Sequence, residues 1–189
     1  ATPYPGGYGS VSSADVNCDG TMDLLSVSQY SGNINWWNNL DGSGTAWQAE
    51  PVTTSFPGAV SLACGDIDND GHLDVIGAGY SNDSVAWWRN MDGTGTSWGE
   101  KTICNSLDGA ISVSVGDFNG DGHLDILGAG YFADDVLWWE NADGSGNSWI
   151  EHSVATEFNA PRSVLAVDVN QDGFTDILAA SSSMGYGIR

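Results

Sequence analysis

Large and small side chains alternate along Val60-Ser61-Leu62-Ala63-Cys64-Gly65 and again along Ile111-Ser112-Val113-Ser114-Val115-Gly116. That is the period of a β-strand. A second apolar run follows each of them, over 73–80 and 124–131, where a bulky pair gives way to Gly77-Ala78-Gly79 or Gly128-Ala129-Gly130. Small residues inside a strand predict that neighbouring backbones approach closely. A polar turn such as Ser81-Asn82-Asp83-Ser84 leads to a third strand carrying paired tryptophans: Trp36-Trp37, Trp87-Trp88 and Trp138-Trp139. Next comes Asp41-Gly42-Ser43-Gly44, Asp92-Gly93-Thr94-Gly95 or Asp143-Gly144-Ser145-Gly146, a hairpin signal. A fourth strand opens on Trp47, Trp98 or Trp149. No segment of useful length has the helical period.

Between the first and second strands lies a polar loop, and it sets the period. Its first residue falls at Asp15, Asp66, Asp117 and Asp168, a constant spacing of 51 residues. A fixed period of this size signals a propeller, solenoid or array. Four short antiparallel strands per repeat describe the blade of an all-β propeller. The blades run approximately over 1–52, 53–103, 104–154 and 155–189, three complete and the fourth partial. Residues 185–189 align with the start of a third strand. An arc of fewer than four blades would leave bare apolar faces. The chain is therefore expected to be part of a larger propeller, or to have its ring completed by other chains through self-association.

The loop carries acidic or amide side chains at its positions 1, 3, 5 and 9 and Gly at position 6. In order these are Asp15, Asn17, Asp19 and Asp23; Asp66, Asp68, Asp70 and Asp74; Asp117, Asn119, Asp121 and Asp125; and Asp168, Asn170, Asp172 and Asp176. Oxygen donors at alternate positions of a tight turn suit a hard cation such as Ca²⁺. An EF-hand would need a bidentate Glu at position 12 between helices. Position 12 here is Ser26, Gly77, Gly128 or Ala179, and strands flank every loop.

Composition sharpens this picture. The 189 residues carry 25 acidic and 4 basic side chains, a formal net charge of −21. Such a surface repels nucleic acid and anionic membranes, so neither is expected as a partner. Disorder is excluded by the 41% of hydrophobic residues and by nine tryptophans at repeated positions. Cys18, Cys64 and Cys104 stand at different repeat positions, so at most one disulfide is available and no repeated metal set exists. No stretch is long and apolar enough to span a bilayer, and Ala1-Thr2-Pro3 has no signal-peptide pattern.

The stretch Gly116 to Gly130, with its counterparts, resembles the FG-GAP/VCBS repeat family, the calcium-binding blades also found in the integrin alpha-chain propeller. Repeats 2 and 3 match most closely, and repeats 1 and 4 replace Gly-Ala-Gly by Ser26-Val27-Ser28 and Ala179-Ala180-Ser181. The resemblance implies up to four structural Ca²⁺ ions. It places side-chain ligands at positions 1, 3, 5 and 9 and a backbone carbonyl ligand at position 7, which is Thr21, His72, His123 or Phe174. Because those four share no side-chain chemistry, the two His rings are expected to be incidental. The family serves in adhesion proteins, lectins and enzymes alike, so the fold alone does not name an activity.

No catalytic constellation stands out, and an enzyme is not expected. The leading expectation is an extracellular, calcium-stabilised module that binds protein or carbohydrate. The alternatives are a structural subunit of a surface assembly and the scaffold of a carbohydrate-active enzyme. Trp47, Trp98 and Trp149, beside polar turns, are candidates for stacking on sugar rings, although core packing is the plainer role for all nine tryptophans. Asn82-Asp83-Ser84 is a glycosylation sequon in a turn.

Overall fold

The computed structural model describes residues 9–182. Among the described residues, fourteen strands form three four-stranded sheets and a two-stranded one. Blade 1 comprises β1 (Val11–Ala14), β2 (Asp23–Ser28), β3 (Asn33–Asn39) and β4 (Trp47–Thr53). Blade 2 comprises β5 (Ala59–Gly65), β6 (Asp74–Gly79), β7 (Ser84–Asn90) and β8 (Trp98–Cys104). Blade 3 comprises β9 (Ala110–Gly116), β10 (Asp125–Gly130), β11 (Asp135–Asn141) and β12 (Trp149–Ala155). Blade 4 contributes β13 (Pro161–Val167) and β14 (Asp176–Ser181). Within each sheet the strands pair antiparallel in chain order. The expected third strand near 185–189 lies outside the described residues.

Consecutive blades stack face on face, and each interface is a separate apolar cluster. Leu25, Ile34 and Trp36 of blade 1 meet Leu62, Val75 and Trp88 of blade 2. Ile76, Val85 and Trp87 of blade 2 meet Val113, Ile126 and Trp139 of blade 3. Leu127 and Val136 of blade 3 meet Val164 and Ala179 of blade 4. Burial of apolar surface between sheets is the main term holding such stacks together. Serine hydroxyls add directional ties between adjoining first strands. Val113 N donates to Ser61 Oγ at 3.2 Å, and Val164 N to Ser112 Oγ at 3.1 Å.

The paired tryptophans point to opposite faces, as adjacent strand residues must. An added Cβ on Gly95 or Gly146 would run into the ring of Trp36 or Trp87, so the first of each pair packs under the next blade's turn. The second of each pair explains the small residues of the second strand. A Cβ on Gly77 would fall 2.9 Å from the Trp88 ring, and one on Gly128 2.8 Å from Trp139. It is therefore an indole, not a neighbouring backbone, that fills the space. The Asp-Gly connection also differs from a two-residue hairpin. It spans seven residues, 40–46 in blade 1, closed by Leu40 N to Ala46 O at 2.9 Å, with positive φ at Gly42 and Gly44.

The end faces are different. On blade 1, Val11, Leu24 and Trp37 are exposed, and on blade 4 Leu165 and Val167 are exposed. In the internal blades the same faces are covered.

Candidate metal loops

The polar loops and the Asp-Gly connections share one rim of the blade stack. The β2–β3 turns and the linkers between blades lie at the other ends of the strands, on the opposite rim. Each loop turns because two residues take left-handed φ. Position 6 is Gly20, Gly71, Gly122 or Gly173, with φ between 85° and 91°. Nothing lies within 4 Å of a Cβ built on any of them, so conformation rather than space requires glycine. Position 4 is also left-handed, at Cys18, Asn69, Gly120 and Gln171. Only repeat 3 shows a glycine there, and the sequence pattern therefore hid this second bend.

The turn aims backbone N–H groups at its own acids. The position-1 carboxylate accepts from the N–H groups of positions 5 and 6 in every loop, at 3.0 and 2.9 Å for Asp15 and 3.2 and 2.9 Å for Asp117. Asp66 and Asp168 accept the same pair. Position 5 accepts from the N–H of position 7: Thr21 to Asp19 at 2.8 Å, His72 to Asp70 at 3.0 Å, His123 to Asp121 at 2.8 Å and Phe174 to Asp172 at 2.9 Å. The amide oxygens of Asn17, Asn119 and Asn170 each accept from the N–H of position 5. Hydrogen bonds to the ionised form hold Asp19 below its usual range, led by the Thr21 hydroxyl, and Asp121 likewise, led by the His123 N–H.

Position 9 is different in kind. Asp23, Asp74 and Asp125 are fully buried. One oxygen accepts from the N–H of position 2, as Phe118 to Asp125 at 3.0 Å, and the other from the last residue of the third strand, as Asn141 at 2.8 Å. Burial pushes Asp74 and Asp125 up to about 6, against those backbone bonds. A desolvated carboxylate is costly without a compensating charge. In the second loop, carboxylate oxygens of Asp66, Asp68 and Asp74 all lie within 4.8 Å of one another. The donor set is oxygen throughout, held by backbone bonds that leave lone pairs over. It fits a hard divalent cation, with Ca²⁺ the natural size. Bound there, such an ion would supply charge neutralisation and a cross-link within the loop.

The position-7 side chains point elsewhere. A Cβ on Gly93 would strike the His72 ring, and one on Gly144 the His123 ring, so each histidine packs beneath its own blade's Asp-Gly connection. Thr21 meets Gly42 in the same way. Phe174, whose blade shows no such connection among the described residues, is 68% exposed. His152 stacks on Trp138 and lies 2.8 Å from Glu140 Oε2. Cys18, Cys64 and Cys104 are free thiols, and burial pushes Cys64 up to about 12.

The sequence reading missed Asn39, Asn90 and Asn141. All three are buried. Asn141 Nδ2 donates to Ile67 O of the preceding blade at 2.7 Å, and its Oδ1 accepts from Gly146 N at 2.9 Å. Asn90 makes the same bonds to Val16 O and from Gly95 N. One amide thus ties the acidic loop of one blade to the turn of the next. Asn141→Ala would leave those buried groups unpaired, and about 2–3 kcal/mol of destabilisation is expected in urea unfolding. A loss below about 0.5 kcal/mol would show that water replaces the amide.

The candidate stacking residues are anchored rather than free. Trp47, Trp98 and Trp149 each donate Nε1–H to the carbonyl of Gly44, Gly95 or Gly146 at 2.9 Å. Trp47 is 38% exposed, while Trp98 and Trp149 are half-buried against the inter-blade clusters. The Asn82 amide is turned inward; oriented by its neighbours, so that the nitrogen faces the carbonyls, it donates to Gly79 O at 2.8 Å and Pro57 O at 3.1 Å. Glycosylation would require it to swing out of that site.

Repeating four-stranded sheets with a nine-residue oxygen-donor loop at one rim define a β-propeller of the acidic-loop type. The chain belongs to the FG-GAP-like repeat family, whose pattern matches residues 15–77, 66–128 and 117–179. No curated protein is similar to it in sequence. Among solved structures it is similar to an Agrocybe aegerita lectin described as recognising non-reducing terminal N-acetylglucosamine. The TM-score is 0.62 at 20% identity, over 92% of this chain and 47% of the lectin. It is also similar to the Vibrio cholerae biofilm matrix protein Bap1, with TM-score 0.50 at 20% identity, over 92% of this chain and 28% of that protein. The chain thus spans less than half of either. At this identity the likeness is one of fold.

Proposed function

We propose that the chain is a calcium-stabilised propeller segment of an extracellular protein, binding carbohydrate or protein rather than catalysing a reaction. The observation that carries this reading is the separation of the two rims. The acidic loops consume one rim with equivalent, self-bonded sites suited to structural ions. The opposite rim varies from blade to blade, as a recognition surface does.

That rim offers a cleft of about 370 Å³ between blades 1 and 2, lined by Gln29, Tyr30, Ser31, Thr54, Ser55 and Ser81 among others. One departure from the repeat coincides with it. In blades 2 and 3 the turn carries Asp83 or Asp134, whose carboxylate reaches across to Gly109 N at 2.9 Å or Ala160 N at 2.7 Å. Blade 1 has Gly32 at that place, with the same left-handed φ and no side chain. A polar cleft beside an aromatic ring suits a sugar. A glycan array in calcium is expected to give binding that Gly32→Asp abolishes; Asp83 and Asp134 hold this φ in the sister blades, while an added Cβ at Gly32 lies 3.0 Å from Phe56 O, so at most a small fall in the melt is expected. Binding that survives Gly32→Asp but is lost in Trp98→Ala would move the site to the loop rim. Absence of any glycan or protein ligand would overturn the reading.

The alternative of a structural subunit rests on the exposed apolar residues at both ends of the stack. Light scattering in calcium decides it: a defined ring or polymer of chains favours assembly.

A further inference from the structure

The second loop carries one more acid than the others. Position 3 is Asn17, Asn119 and Asn170 in loops 1, 3 and 4, and Asp68 in loop 2. The same blade carries Arg89, where the positions one repeat away hold Asn38 and Glu140. The two departures meet in space. Arg89 Nε lies 2.5 Å from Asp68 Oδ2, and a second guanidinium nitrogen lies 2.9 Å from Asp70 Oδ2. The Asp68 side chain is only 5% exposed, against 44% for Arg89. Its other oxygen, Oδ1, is buried and has no hydrogen-bond partner. Asp68 is at the same time one of the three acids whose carboxylate oxygens converge within 4.8 Å. One carboxylate therefore serves two cations: one oxygen is held from outside by the guanidinium, and an unpaired oxygen is left for the loop interior.

We propose that Arg89 is a resident cation of the second loop, a positioning residue that orients Asp68 and keeps this loop folded when no divalent ion is bound. This rests on the calcium reading of the loops. A fixed guanidinium offsets the repulsion among four carboxylates, and its planar fork fits the pair of acids. It also opposes an entering divalent cation, because like charges repel at short range. The second site is accordingly the least dependent on calcium for its shape and weaker than its four carboxylates would otherwise make it.

The test compares wild type, Arg89→Gln and the double variant Asp68→Asn/Arg89→Gln, which restores the pattern of the other loops. Arg89 is partly exposed, so all three are expected to fold. In excess chelator, Arg89→Gln is expected to melt below wild type and the double variant to recover. In calorimetric titration with CaCl₂, Arg89→Gln is expected to bind one ion about tenfold more tightly. An unchanged chelated melt for Arg89→Gln, or a double variant that does not recover, overturns the proposal. So does calcium affinity that falls on removal of Arg89. If wild type takes up no calcium at all, the calcium reading fails, while the chelated melts still decide whether Arg89 holds the loop.

Discussion

Chelation of divalent cations is expected to lower the thermal unfolding midpoint by roughly 10–20 °C. The size follows from the number of loops. With free calcium at about ten times the dissociation constant, each site adds about 1.4 kcal/mol to folding. Four sites together come to about 4–6 kcal/mol, a large part of the stability of an ordinary domain. A domain of this length shifts by roughly 2–4 °C per kcal/mol.

The physical reason to expect so large a dependence is the placement of the position-9 acids. Asp74 and Asp125 are buried and pushed up to about 6, so carrying their charge near neutrality costs the folded chain stability that a bound cation would restore. Those same carboxylates join the loop to the end of the third strand, so their discomfort is felt throughout the blade. Differential scanning calorimetry in millimolar calcium and then in excess EGTA measures the shift. Coincident melts would mean that the backbone N–H bonds within each loop hold it closed unaided, and that the acids serve only as turn formers.

The 51-residue period makes the blades legible in the sequence alone, because loops, tryptophan pairs and Asp-Gly signals all recur together. Strand order and the nine-residue loop followed from the same repetition. Three features stayed hidden for different reasons. Asn39, Asn90 and Asn141 recur at the same spacing, but an asparagine ending a strand reads as a turn former. For Asn90 and Asn141 the inter-blade role depends on a carbonyl that is 74 residues away in the chain. The bend at position 4 was masked because Cys18, Asn69 and Gln171 share no side-chain type. Arg89 and Asp68 were visible as individual departures from the repeat, 21 positions apart, and only the fold brings the two together. The Trp pairs are legible as strand residues, whereas the glycines that accommodate their rings suggest backbone contact.

Trp88→Ala and Trp37→Ala alter the same repeat position and are expected to differ markedly in cost. Trp88 is 1% exposed, meets Phe56 edge-on at 4.8 Å and lies over Gly77. Its Nε1–H donates to Glu100 Oε2 at 3.2 Å. Truncation empties the centre of the interface between blades 1 and 2, where the glycine floor has no atoms with which to refill the space. Such changes cost about 3–5 kcal/mol. Trp37 is 38% exposed on the outer face of blade 1, and its Nε1–H reaches only Ser26 Oγ at 2.9 Å. Part of the ring is still removed from water there, but no facing blade loses its filling, so about 1–2 kcal/mol is expected for the dilute chain. Urea unfolding of both variants, at low and high protein concentration, separates packing from assembly. If the two costs converge as concentration rises, Trp37 has acquired a covering partner, as Trp88 has in blade 1. If they converge at every concentration, the outer face is packed in the monomer, contrary to the exposure of Val11, Leu24 and Trp37. If Trp88→Ala costs as little as Trp37→Ala, the blades are not held by their facing side chains, and the acidic loops and buried asparagines must account for their cohesion.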